Sequence, residues 1–244
     1  MFTCIAQGHQ VIRITEDTTT NFDIAKWVMG DRARVDIIID SGVTINSTDA
    51  SIGAIYSSVP INPDNSLITI RNNGTVLGCN GAGGNAVTDN DGLPGSKGCD
   101  CIDFNCPIVL YNISGSLQSG GGGGGGGGGY VNIFSILGGG GAGYPGGSGS
   151  SYSGKTSSSG ETVQYGTGAG GAAYYDGPSL PTEGYGGDCN GAGQVGQVGY
   201  DAGALGEGGA GGAAGYGVNA QGNTVKIVNG AANIIGDING VIIP

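Results

Sequence analysis

Residues 149–156, Gly-Ser-Ser-Tyr-Ser-Gly-Lys-Thr, have the spacing of a phosphate-binding loop, in which backbone amides cradle phosphate and a lysine neutralises it. That chemistry needs a buried strand before the loop and a helix after it, whose N-terminus completes the anion site. Glycine-rich sequence precedes this match and Ser157, Ser158, Ser159 and Gly160 follow it, so the spacing is read as chance. Tetrahedral zinc favours cysteine pairs with two to four residues between them. Cys99-Asp100-Cys101 with Cys106, beside a single histidine, His9, is read as buried thiols rather than a metal centre. With His9 alone, acid–base work would fall to carboxylates such as Asp176, Glu183 and Asp188, and no paired motif places two of them together. The expectation is a chain that is not an enzyme, with no metal and no cofactor.

The residue type that does cluster is tyrosine. Of 11 tyrosines, Tyr130, Tyr152, Tyr165, Tyr174, Tyr175 and Tyr200 fall in segments between glycine runs. Tyrosine offers rigid, amphipathic contact area at low entropic cost and is favoured on recognition surfaces. Two of these segments are also apolar or acidic: 130–137, with Tyr130, Ile133, Phe134 and Ile136, and 172–183, with Tyr174, Tyr175, Asp176 and Leu180. These eight residues are the candidate binding site. The alternative for 130–137 is a core strand packed on the glycine region, because an exposed run that apolar is unusual without a partner.

The elements that must hold these loops are set by glycine, 57 of 244 residues, about three times the usual ~7%. Collagen requires a strict Gly-X-Y repeat with abundant proline, and the chain has 8 prolines and a run of ten glycines at 120–129. A solvated linker is excluded by a hydrophobic content of 38%. Only Gly8, Gly30, Gly42, Gly53 and Gly74 precede residue 78. Beyond it glycine recurs every third position at 78–84, 92–98, 140–149, 193–199 and 203–215, with near-pure glycine at 120–129 and 166–171. A three-residue period is that of polyproline II geometry, whose backbone groups have no internal partners. Packed side by side, such helices can bond to one another if inward positions lack a Cβ, which points to a bundle of about seven polyglycine II helices. If successive helices alternate direction, 85–91, 130–137 and 172–183 share one end, and 99–119, 150–165 and 200–202 share the other.

The remaining sequence reads as strands. Segments 11–14, 35–40, 43–46 and 67–71 are β-branched or leucine-rich and separated by Ser-Gly, Asn-Pro-Asp-Asn and Asn-Asn-Gly turn chemistry. A short amphipathic helix is expected over 22–29, with Asn21 as its cap. A turn-plus-apolar phrase recurs at 70–78, 111–117 and 237–243. The fold class is therefore mostly β and irregular: a small N-terminal β layer over 1–77 with one short helix, a polyglycine II sandwich over 78–217, and a C-terminal strand segment over 218–244 returning to the β layer.

A net charge of −11 with 8 Lys and Arg disfavours nucleic acid as a partner. No apolar stretch approaches the ~18 residues of a membrane span, and residues 1–16 lack a basic and apolar leader pattern, so synthesis in a cytoplasm without membrane insertion is expected.

The order of several phrases carries a family resemblance. Asn21-Phe-Asp-Ile-Ala-Lys-Trp27 is followed by strand sequence at 35–47. Leu67-Ile-Thr-Ile-Arg-Asn-Asn-Gly-Thr-Val-Leu-Gly78 leads into glycine, 113–129 ends in the ten-glycine run, and Gly211-Gly-Ala-Ala-Gly-Tyr216 leads to Thr224-Val-Lys-Ile-Val-Asn-Gly230. In this order they resemble the glycine-rich receptor-binding adhesins at the tips of bacteriophage tail fibres, both the separate tip adhesins of T-even-type phages and the glycine-rich C-terminal regions of host-specificity tail proteins. The resemblance implies a protein at the distal tip of the virion's tail fibre. Its polyglycine sandwich would display loops to a host outer-membrane protein or surface polysaccharide, making Tyr130, Phe134, Tyr174, Tyr175 and Asp176 receptor contacts. It also implies attachment of the N-terminal β region to a trimeric tail fibre protein, although the chain lacks the long tryptophan-rich attachment domain of the T-even pattern and has only Trp27. The alternative that shares the fold is a non-adhesive structural tail-tip protein or another polyglycine scaffold, such as an ice-binding bundle.

Overall fold

In the computed structural model the chain divides into two compact units. One comprises Met1–Gly78, Asp100–Ser119 and Tyr216–Pro244; the other comprises Cys79–Cys99 and Gly120–Gly215. The structure describes all residues except 1, 7–8, 29–33, 63, 65, 89, 132–134, 166–167, 172–173, 176–206 and 244. Strand and irregular backbone dominate. Among the described residues, helix is confined to the 3₁₀ turns Ile24–Lys26 and Ala231–Asn233.

The first unit is a parallel coil whose successive circuits stack on three faces, the first circuit meeting the second face only through a single bridge from Thr18 to Ile45. β1 (Phe2–Ala6) pairs antiparallel with β2 (His9–Ile14), and the first circuit ends in β3 (Phe22–Asp23). The second circuit is β4 (Arg34–Ile39), β5 (Thr44–Asn46) and β6 (Ile55–Tyr56). The third is β7 (Leu67–Asn72), β8 (Thr75–Leu77) and, after residues 79–99, β9 (Ile102–Asp103). The fourth opens with β10 (Ile108–Tyr111) and β11 (Ser116–Gln118). The chain then leaves through the short strands β12 (Tyr130–Val131), β13 (Ser135–Leu137), β14 (Ser151–Tyr152), β15 (Lys155–Thr156) and β16 (Tyr174–Tyr175) of the other unit. It returns in β17 (Tyr216–Asn229), whose first part closes the fourth circuit and whose second part opens a fifth with β18 (Ile234–Ile235) and β19 (Asp237–Ile243).

Apart from the antiparallel β1–β2 pair, the lateral pairings among the described residues of this coil are parallel: β2-β4-β7-β10-β17 on one face, β5-β8-β11-β18 on the second, and β3-β6-β9-β17 on the third. The alternation of the strands sends every second residue inward, so matching residues of successive circuits stack. Ile12, Ile37, Ile70 and Leu110 form one such ladder, Ile45, Val76 and Leu117 a second, and Phe22, Ile55, Ile102 and Val218 a third, all buried. Burying one such aliphatic side chain is worth about 1.5–3 kcal/mol, and it is these ladders that make single strands of two or three residues persist.

The corner between the first two faces explains the repeated Asn–Gly chemistry. Buried Asn72 donates from Nδ2 to Asn112 Oδ1 at 2.9 Å and accepts from the Gly74 N–H at 3.0 Å, while Asn112 Nδ2 donates to the Gly230 carbonyl at 3.1 Å. The third copy of this Asn–Gly corner is thus Asn229-Gly230, not the 237–243 phrase, which forms β19. The expected helix over 22–29 is also shorter. Phe22 and Asp23 pair with Ile55 and Tyr56 as strand, and the 3₁₀ turn that follows is capped by the Asp23 carboxylate, which accepts from the Ala25 N–H at 3.0 Å. Asn21 instead ties the second corner together, donating to Ser47 Oγ at 2.9 Å and accepting from the Thr48 N–H at 3.0 Å.

Candidate functional site

In the second unit the ten glycines 120–129 are all buried. Glycines 120, 123, 126 and 129 donate backbone N–H bonds to the carbonyls of Cys99, Ser96, Leu93 and Asn90, at 2.9–3.1 Å. On another side, Gly209, Gly212 and Gly215 donate to Gly126, Gly123 and Gly120. On a third, Gly124 and Gly127 donate to Ala142 and Gly139. Each neighbour is contacted once every three residues. A Cβ placed on Gly125 would lie 1.7 Å from the Gly209 carbonyl oxygen, so the close approach itself requires glycine.

These bonds also give the course of the chain. Cys79, Cys99, Gly120 and Gly215 lie at one end, linked by Cys99 N–H to Cys79 O, Gly120 N–H to Cys99 O and Gly215 N–H to Gly120 O. Asn90 and Gly129 lie at the other, with the Glu207 N–H bonded to Asp91 Oδ1 at 2.8 Å. Segment 138–149 does not cross the unit once. It runs from Gly139, beside Gly127, to Tyr144, whose N–H reaches Gly81 O; it then reverses at Tyr144–Pro145, and Ser148 O accepts from Ala86. The loop that follows is therefore at the Asn90 end, which corrects the expectation from simple alternation that 150–165 begins at the opposite end. β14 and β15 form a two-residue hairpin there, with Ser153 at φ 49° and Gly154 at φ 80°, the signature of a type I′ turn. The phosphate-loop spacing of 149–156 is that of this hairpin. Thr88 Oγ1 donates to the Ser151 carbonyl at 3.2 Å, so segment 85–91 joins the same end.

Next to the hairpin is a small antiparallel sheet in the order β12-β13-β16. Its register sets Tyr130 opposite Ile136, Ile136 opposite Tyr175, and Leu137 opposite Tyr174. Four of the eight candidate residues, Tyr130, Ile136, Tyr174 and Tyr175, are thus brought onto one sheet from segments that glycine sequence separates. Ile133, Phe134, Asp176 and Leu180 lie outside the described residues. Leu137 is fully buried, so this end is anchored into the unit. Tyr152, counted among the loop tyrosines but kept out of the candidate set because simple alternation sends 150–165 to the opposite end, lies on the hairpin and is 49% exposed; the signal for its placement was Pro145, which interrupts the glycine run. Tyr165 is at the opposite end, where the neighbouring Gln164 carbonyl accepts from the Asn80 N–H. Burial pushes its phenol up to about 12, with the Cys79 thiol, Tyr144 and the Cys99 thiol adding to the shift.

Among the described residues no cluster of three His, Cys, Asp or Glu side chains could hold a metal, and no helix is long and apolar enough to cross a membrane. Cys79, Cys99, Cys101 and Cys106 are buried free thiols. Burial holds the Cys101 thiol far above its usual range and pushes Cys106 up to about 12, so neither is a nucleophile near neutral pH.

A rigid backbone lattice that gathers tyrosine-bearing loops at one end has the build of a binding protein. The chain belongs to the phage tail fibre adhesin Gp38 family, whose model matches residues 9–243. It is accordingly a receptor-binding adhesin of a bacteriophage tail fibre. Among solved structures, it is similar to the gp37–gp38 adhesin tip complex of the bacteriophage S16 long tail fibre, at 22% identity over 96% of this chain and 82% of that one, with a TM-score of 0.47. No curated protein matches it.

Proposed function

We propose that the end of the glycine unit built from β12, β13, β16 and the β14–β15 hairpin binds a host outer-membrane protein or surface polysaccharide. The observation that carries this reading is the register that unites Tyr130, Ile136 and Tyr175 in one row beside exposed Tyr152. Ile133, Phe134, Tyr174, Asp176 and Leu180 complete the contact set in this reading. The glycine segments are polyglycine II helices, supported by the three-residue spacing of their bonds to each neighbour. Such a lattice holds the loops in place before binding, which removes part of the ordering cost of association. The role is binding without catalysis. The β-coil unit mounts the chain at the distal tip of a fibre, a reading supported by membership of a tail fibre adhesin family.

The test is adsorption of phage carrying Tyr175→Ala or a hairpin shortened across residues 152–155. Reduced adsorption with an unchanged melting temperature of the purified chain supports the assignment. Full adsorption by a variant lacking the hairpin and residues 131–135 refutes it.

A further inference from the structure

The outward face of the β2-β4-β7-β10-β17 sheet carries a charge opposite to the rest of the chain. Where the inward residues are the aliphatic ladders, the outward ones are Val11 and Arg13 on β2, Arg34, Asp36 and Ile38 on β4, Leu67, Thr69 and Arg71 on β7, Val109 and Tyr111 on β10, and Lys226 on β17, all partly or fully exposed. In a chain of net charge −11 with 8 Lys and Arg, Arg13, Arg34, Arg71 and Lys226 gather here against Asp36, with Asp40 at the rim bridged to Arg13 at 3.0 Å.

The cations are interleaved with apolar groups rather than set in a solvated row. Arg71 lies between Ile38 and Tyr111 in register, and its guanidinium stands 4.4 Å from the Tyr111 ring centroid. Lys226 lies between Val109 and Ile243. On β19, the last strand of the coil, Val241 is 57% and Ile243 39% exposed. Asp36 and Thr69 are the polar exceptions on this face, outnumbered by the four cations and by Val11, Ile38, Leu67, Val109 and Tyr111. Apolar area threaded with an excess of cations suits a protein surface that is itself acidic and partly apolar, because the aliphatic groups need a dry partner and the cations select it. A polysaccharide would use the cations but leave Val109, Val241 and Ile243 uncovered.

We propose that this face is the docking surface of the chain for an acidic, partly apolar surface of the tail fibre protein. The proposal rests on the reading that the β-coil unit mounts the adhesin, and adds the face and the chemistry of its partner.

The experiment is binding of the full chain to the purified tail fibre protein of the same phage, with Arg34→Glu/Arg71→Glu/Lys226→Glu as the main variant. The wild-type complex should weaken as salt rises, and the variant should bind at least about tenfold more weakly at low salt with its melting temperature preserved. The conservative pair Arg71→Lys/Lys226→Arg should keep binding salt-sensitive and near wild type. If charge reversal impairs folding, the neutral Arg34→Gln/Arg71→Gln/Lys226→Gln variant carries the same comparison. Wild-type affinity in a folded variant overturns the face while leaving the mounting role intact. Failure of the wild-type chain to bind the fibre overturns both. Loss of cell adsorption by the isolated variant with fibre binding unchanged also overturns it, since the face would then serve the host surface.

Discussion

Replacing Gly125 by alanine adds one methyl group at a point as crowded as any among the described glycines of the lattice, matched by Gly122. The new Cβ would lie 1.7 Å from the Gly209 carbonyl oxygen and 2.3 Å from its carbon. Carbon and oxygen tolerate an approach of about 3.3 Å, so the 207–215 segment must retreat by about 1.6 Å. That segment is held to the 120–129 run by three N–H bonds of 2.7–2.8 Å, from Gly209, Gly212 and Gly215. A retreat of this size carries all three beyond ~4 Å, outside hydrogen-bonding range. At a net ~1 kcal/mol each the loss is about 3 kcal/mol, and leaving the freed groups buried adds to it. Gly154→Ala is the control: Gly154 has φ 80° and an added Cβ would meet nothing within 4 Å, so its cost is the left-handed strain of about 1–2 kcal/mol. Urea unfolding followed by tyrosine fluorescence compares the two, and Gly125→Ala should shift the midpoint for the glycine unit about 1.5 to 3 times as far. If Gly125→Ala proves no more destabilising than Gly154→Ala, the lattice is not close-packed and cannot be what holds the loops rigid.

Three further outcomes follow from the same geometry. Tyr175→Ala should lower phage adsorption with little effect on stability, whereas Tyr174→Ala, whose register partner Leu137 is buried, should lower the melting temperature as well; equal behaviour of the two in both assays would contradict the register. Asn112→Ala removes the bonds to Asn72 and to Gly230 and should cost about 2 kcal/mol in urea unfolding, while a surface change such as Val59→Ser stays within ~0.5 kcal/mol. Stability against pH should have two shoulders. Asp23 is raised by burial but lowered on balance by hydrogen bonds from Ser58 and Ala25, and Asp49 is lowered by bonds from Ser51, so their contribution is present above pH 3.8 and lost as pH falls through the folded values. Cys106, raised from 9.0 to about 12, favours the protonated thiol in the fold, so its contribution is present below pH 9.0 and lost between there and about pH 12. Circular dichroism across pH 2–12 tests both, and a midpoint that begins to fall at pH 6–7 would contradict them.

Much of the β unit was legible because period-two alternation survives in its strands: the expected 35–40 and 67–71 became Arg34–Ile39 and Leu67–Asn72. The coil was not legible. Parallel partners lie a whole circuit apart, and two circuits are interrupted by the glycine excursions, so neither a short-range turn nor a fixed repeat marks the pairing. The helix expected over 22–29 failed for a related reason. Ile24, Trp27 and Val28 have helical spacing, yet the preceding Phe22 is needed as strand beside Ile55, and that tertiary contact outweighs a local preference worth only tenths of a kcal/mol per residue.

By itself the sequence determined that bare backbone must pack against bare backbone, because glycine at every third position leaves nothing else to pack, and that bulky groups could be presented only where glycine stops. Tertiary structure alone decided which of those places come together. The reversal at Tyr144–Pro145 moves Tyr152 to the same end as Tyr130 and Tyr175, and cross-strand register, which depends on the approach of distant segments, selects the row they share. A segment's composition states what it can offer; the hydrogen bonds to its neighbours state where it is offered.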